Sequence, residues 1–220
     1  MTNATLIQKK IYKGYGLAAK RLGYNFDIYR SATAINPLSA GNKVGNILVG
    51  IDQKYTYENP IKYGDRTYQA LVDGREVRPF DFLVSNNTSL DDSVYFIASM
   101  FPLLPIVIQG CNYVATVTRP KTTTKGFNEN YYSGYTQDNV DVIYQNCPCT
   151  MLESRQGEVS PAKLPAGVKQ PVWRVYMPYL GNAQINVGDF IENDKQERFS
   201  IISNELTDLG WRIIAVRIGT

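Results

Sequence analysis

The 220-residue chain contains no histidine. That absence removes the side chain that most often moves protons near neutral pH and most often ligates transition metals. Ser-His-Asp, Cys-His and His-Glu-x-x-His chemistries go with it. Cysteine is scarce too. Cys111, Cys147 and Cys149 make an odd set, the last two separated only by Pro148. A Cys-x-Cys pair closes a strained disulfide and makes a poor half of a zinc site, so the three are expected to be small, half-buried side chains. Neither glycine-rich nucleotide loop nor EF-hand loop occurs. Carboxylate pairs exist, Asp91 with Asp92 and Glu192 with Asp194, but both fall in polar turns, where Asp serves turn geometry. No catalytic, cofactor-binding or metal residue is expected, and no enzymatic activity. Long hydrophobic runs are missing as well: no stretch approaches the ~20 apolar residues of a membrane span, and the start lacks the apolar segment of a secretory signal. A soluble protein without a membrane partner is expected.

Charge is unevenly spread. Residues 1–64 hold nine Lys or Arg against three acids, a balance of +6, and the remainder carries −3. Within the basic front end, residues 4–22 read as a helix, with Asn3 as N-cap and Gly23 where a left-handed C-terminal residue is wanted. At about 100° per residue, Ile7, Ile11, Tyr15, Ala18 and Leu22 share one arc, and Lys9, Lys10, Lys13, Lys20 and Arg21 lie opposite. Such a helix packs its apolar face on its own domain, on a neighbouring subunit, or on a membrane or nucleic acid. Gly14 and Gly16 lower its intrinsic helicity, so it needs a surface to pack on. Residues 24–64 show little periodicity and five tyrosines. They read as an extended arm that anchors on a partner through Tyr29, Tyr55, Tyr57 and Tyr63, with Arg30, Lys54 and Lys62 facing the partner's acidic rim.

From about residue 65 the text turns to short strands and turns. The expected fold is mainly β: two small β-barrel or sandwich modules, at 65–150 and 172–220, joined by a linker at 151–171 and preceded by the helix and the arm. The modules resemble each other. Asp81-Phe82 matches Asp189-Phe190, Tyr95 to Ser99 matches Phe199 to Ser203, and Leu104 matches Leu209. Either one unit has been duplicated or two strand meanders have converged. Gly188 and Asp189 are expected to shape a turn into a strand, and Trp173 and Trp211 to anchor cores.

Three stretches, "IYKGYGLAAKRLGYNFDIYR", "PLLPIVIQGCNYVATVTRP" and "GDFIENDKQERFSIISNELTDLGWRIIAV", together resemble small virion proteins encoded among the tail and baseplate genes of contractile-tailed bacteriophages. The last stretch alone also resembles the β-barrel of head-completion, or stopper, proteins. The resemblance implies a non-enzymatic structural adaptor, assembled into the virion in the host cytoplasm. It would stand in several copies in a symmetric ring against tail-tube, sheath, baseplate or portal-side connector proteins, without specific nucleic-acid binding. Two other classes compete. A wall-degrading tail enzyme needs a carboxylic acid and a partner carboxylate in a cleft. A nucleic-acid-binding barrel needs basic and aromatic strands, whereas the β half here is net acidic.

Overall fold

A computed structural model describes residues 3–52, 66–86, 93–121, 123–124, 130–131, 140–154 and 171–218. Helix α1 (Asn3–Leu22) is followed by β1 (Tyr24–Tyr29), β2 (Lys43–Asp52), β3 (Thr67–Leu71), β4 (Phe82–Ser85), β5 (Val94–Ser99) and β6 (Ile106–Gly110). After β7 (Tyr113–Pro120), the two-residue strands β8 (Thr123–Thr124) and β9 (Asn130–Tyr131) pair with each other. Then come β10 (Val140–Ser154), β11 (Val172–Met177), β12 (Phe190–Asn193), β13 (Arg198–Thr207) and β14 (Gly210–Arg217).

The strands close into two six-stranded antiparallel barrels. Barrel 1 runs β1-β2-β3-β6-β5-β4, and β4 returns to β1 through Phe26 opposite Ser85 to Tyr29 opposite Phe82. Barrel 2 runs β7-β10-β11-β14-β13-β12, and β12 returns to β7 through Phe190 opposite Thr118 to Asn193 opposite Ala115. The circuits are identical when each is read from its first strand. Closure leaves neither barrel a free sheet edge among the described residues, which for a small β barrel removes its main aggregation hazard. The repeat seen in the sequence is therefore structural: residues 80–109 and 188–215 trace the same three strands in the same order and direction.

The match extends to single bonds. Just after β1, Arg30 grips the buried Asp81 with Nε on Oδ1 at 2.9 Å and Nη2 on Oδ2 at 2.7 Å, and Nη2 also donates to the Glu76 carbonyl at 3.1 Å. Near the end of β7, Arg119 grips Asp189 at 2.8 and 2.8 Å and donates to the Gln184 carbonyl at 2.9 Å. Each Asp Oδ2 accepts the backbone N–H three residues before it, Arg78 in one barrel and Asn186 in the other. The residue before each Asp has positive φ: Phe80 at +68° and Gly188 at +91°. Glycine takes that conformation without steric cost and phenylalanine does not, so barrel 1 stores strain that barrel 2 avoids. β5 and β13 are both irregular just before a serine, at Ile97/Ser99 and Ile201/Ser203.

The structure corrects two domain boundaries. The arm expected at 24–64 contributes β1 and β2 to barrel 1, with Phe26, Ile28, Ile47 and Val49 pointing into its core. Tyrosines and turn residues around these strands hide the alternation in the sequence. The break expected at 150, with its linker to 171, falls within β10, and β7 and β10 belong to barrel 2 rather than to the first module. Residues 155–170 lie outside the described part.

The barrels are fused. Phe82, Phe96 and Ala98, on the outer wall of barrel 1, join one buried cluster with the interior of barrel 2. Burying each phenylalanine contributes roughly 1.5–3 kcal/mol. Phe80 meets Tyr179 edge-on, and Tyr179 meets Trp211. Segment 31–36 lies on barrel 2: Gln145 N–H donates to the Ala34 carbonyl at 3.0 Å and Asn36 N–H to the Gln145 carbonyl at 2.9 Å. Trp211 is buried and donates to the Tyr144 hydroxyl, and Trp173 packs on Phe199 with ring centroids 5.4 Å apart. Both are core anchors, as the sequence suggested.

Candidate functional site

Helix α1 packs on barrel 1 along the line Tyr12, Gly16, Ala19, and Ala19 is fully buried. A Cβ on Gly16 would stand 2.9 Å from Asp73 Cβ, and one on Gly74 would stand 2.6 Å from the Tyr12 ring. Close approach at these small residues sets the seam, and it lies roughly a quarter turn away from the apolar arc expected from the sequence. Ile7 is consequently 49% exposed and Leu22 72%, while Ile11, Tyr15 and Ala18 are half-buried. Gly23 does not adopt positive φ. Its smallness is needed because a Cβ there would lie within 2.9 Å of the Val49 carbonyl.

The helix and the outer face of barrel 1 enclose an open groove of about 590 Å³. One wall is Lys13, Leu17 and Lys20 of α1, and the other is Asn25, Asn46 and Leu48 of β1 and β2. Asp73, Arg75 and Glu76 also line it. Arg75 binds Asp73 through Nε on Oδ1 at 2.8 Å and through its own backbone N–H at 3.1 Å. Those hydrogen bonds hold the Asp73 carboxyl below the usual carboxylate range against the opposing effect of burial, and Lys20 adds to the lowering. Lys13 and Lys20 make no ion pair among the described residues. The groove can therefore recognise an anionic group while giving up no internal salt bridge.

An apolar surface adjoins it. Leu6, Ile7, Leu17 and Leu22 of α1 are exposed, as are Phe101, Leu103 and Leu104 in the turn between β5 and β6. The backbone N–H of Leu103 donates to the Gln8 side chain, tying that turn to the helix. Scattered exposed leucines are ordinary, whereas the Phe101 to Leu104 turn gathers three exposed apolar side chains beside the helix, which suits an interaction surface.

Of the partner-binding residues read from the sequence, Lys54, Tyr55, Tyr57, Lys62 and Tyr63 lie outside the described residues. Tyr29 sits in β1 opposite Phe82, half-buried against the cluster between the barrels. Arg30 is engaged by Asp81. The described pair thus serves the barrel, and Arg30 is the counterpart of Arg119. The sequence carried a clue, since Ile28-Tyr29-Arg30 and Val117-Thr118-Arg119 stand at matching places before the paired strands. The groove lysines were legible as the polar face of α1, but the wall they oppose was not. The three cysteines are free thiols, with Cys147 and Cys149 buried in β10. Burial pushes both thiols up from their ordinary range.

No family model, curated protein or solved structure matches the chain. Its function has to be read from its own surface.

Proposed function

We propose that the chain is a non-enzymatic structural adaptor of a bacteriophage virion that joins neighbouring tail or baseplate proteins. The observation that carries the adaptor reading is the exposed apolar surface of α1 and the Phe101 to Leu104 turn, presented on two fused barrels. A rigid scaffold holding an apolar patch rimmed by lysines suits protein–protein docking, in which apolar anchors supply most of the energy and charge steers the encounter. The virion assignment comes from the resemblance of the three stretches quoted above.

Mass spectrometry of purified, washed particles from the source phage should find the chain at a fixed ratio to known tail proteins. Its absence from such particles overturns the virion assignment. Replacing Leu103 and Leu104 by Asp should block incorporation while shifting thermal unfolding little, because both side chains are about half exposed. Normal incorporation of that variant would remove the patch from the interface.

A further inference from the structure

We infer that the groove between α1 and barrel 1 binds an extended acidic peptide segment of a partner protein, with an apolar side chain between its carboxylates. The inference rests on the groove alone and survives if the virion assignment fails.

Seven residues separate Lys13 from Lys20, about 10 Å along the helix axis. That span matches roughly three residues of extended chain. Leu17 stands between the lysines and faces Leu48 across the groove. The walls therefore offer cation, apolar surface, cation in sequence. Asn25 and Asn46 on the strand wall are exposed, and each amide can both donate to and accept from a peptide backbone. This set reads a carboxylate-bearing strand better than a polyphosphate. Asp73 and Glu76 line the same groove and would oppose the phosphate repeated at every nucleotide, whereas a peptide places its charges only opposite the lysines. A second copy of the chain is disfavoured at this surface, because α1 holds five Lys or Arg and no acid, and a symmetric contact would set like charge on like.

The 220-residue chain is titrated into a fluorescein-labelled peptide of alternating aspartate and leucine at low salt, with anisotropy as the readout. Saturable binding is expected, lost on raising salt and absent for the peptide with asparagine in place of aspartate. The double variant Lys13→Gln/Lys20→Gln should bind about tenfold more weakly. Asn46→Asp, on the opposite wall, should weaken binding as well. Lys10→Gln/Arg21→Gln, which removes as much charge from α1 outside the groove, should change affinity less than about twofold. All five positions are exposed, so unaltered thermal unfolding is expected and checks that each variant folds. Failure of the acidic peptide to bind overturns the inference. So does equal weakening by the two lysine and arginine pairs, or tighter binding to a thymidine oligonucleotide or to phosphatidylglycerol vesicles.

Discussion

Opposite Ile28 barrel 1 has Gly45, and opposite the equivalent Val117 barrel 2 has Tyr144. Two positions before those residues the sizes reverse, with Phe26 in barrel 1 and Ala115 in barrel 2. At this pair of positions each barrel thus buries one large aromatic, entering from a different strand. Such exchange conserves core volume and leaves the strand circuit unchanged. The added polar cost is met locally: the Tyr144 hydroxyl donates to the Pro178 carbonyl and accepts from Leu180 N–H and Trp211 Nε1. What did not drift is the Arg–Asp pair. The turn that enters β4 or β12 has its backbone N–H and carbonyl groups tied to that pair, so losing either partner would strand several polar groups at once. The common fold is carried by a few turn-forming bonds, while packing was free to vary.

Replacing Asp81 or Asp189 by Asn gives the largest test of that view. Both carboxylates are buried, and each variant leaves a half-buried arginine without its counter-charge. Breaking such a pair costs about 3 kcal/mol, read as a lower midpoint in urea unfolding. Equal losses in the two barrels are expected. A loss confined to Asp189→Asn would mean that the pair in barrel 1 matches in geometry but not in energy.

A smaller effect separates the barrels chemically. Cys147 and Cys149 belong to barrel 2, and barrel 1's strands contain no cysteine. In the unfolded chain thiols ionise near pH 8.5, whereas burial keeps these two protonated in the folded state. Above that pH the unfolded state binds fewer protons than the folded one, so stability falls as pH rises. The loss at pH 9 amounts to about 1.5 kcal/mol for the pair. The double variant Cys147→Ala/Cys149→Ala should start less stable at pH 7 and lose less between pH 7 and pH 9. Parallel losses in the two proteins would show that other groups set the alkaline dependence.

The repeat was legible because its second half is local: Asp-Phe, a turn, and a strand ending in serine lie within one short window of each copy. Its first half was not, because the arginines stand 51 and 70 residues from their aspartates, and no local pattern links residues so far apart. The same distance hid β1 and β2. Their partners include β4, which is encoded far downstream, so the two strands read as unattached text among tyrosines. The helix was found, but its buried seam was not. Apolar periodicity gives the face with most to gain from burial, and here that face lost to the one whose small residues let backbone meet backbone. Of the site, the lysines could be read and the groove could not, since its second wall is made by strands assigned to an arm.

Two glycines in α1 test that seam with the smallest expected effects. Glycine within a helix costs up to about 1 kcal/mol relative to alanine. At Gly14 an added Cβ meets nothing within 4 Å, so Gly14→Ala should raise stability by close to that amount. At Gly16 the new Cβ would stand 2.9 Å from Asp73 Cβ and 3.2 Å from its Cγ. Neither is the free end of a flexible chain, and Asp73 is held in place by Arg75. The helix must therefore lift, or the turn at residues 73–76 must shift, and the gain in propensity is cancelled or reversed. Gly14→Ala stabilising while Gly16→Ala destabilises is the expected pair of outcomes in urea unfolding. If both variants stabilise equally, α1 does not rest on barrel 1 through Gly16, and the groove beside it loses its helical wall.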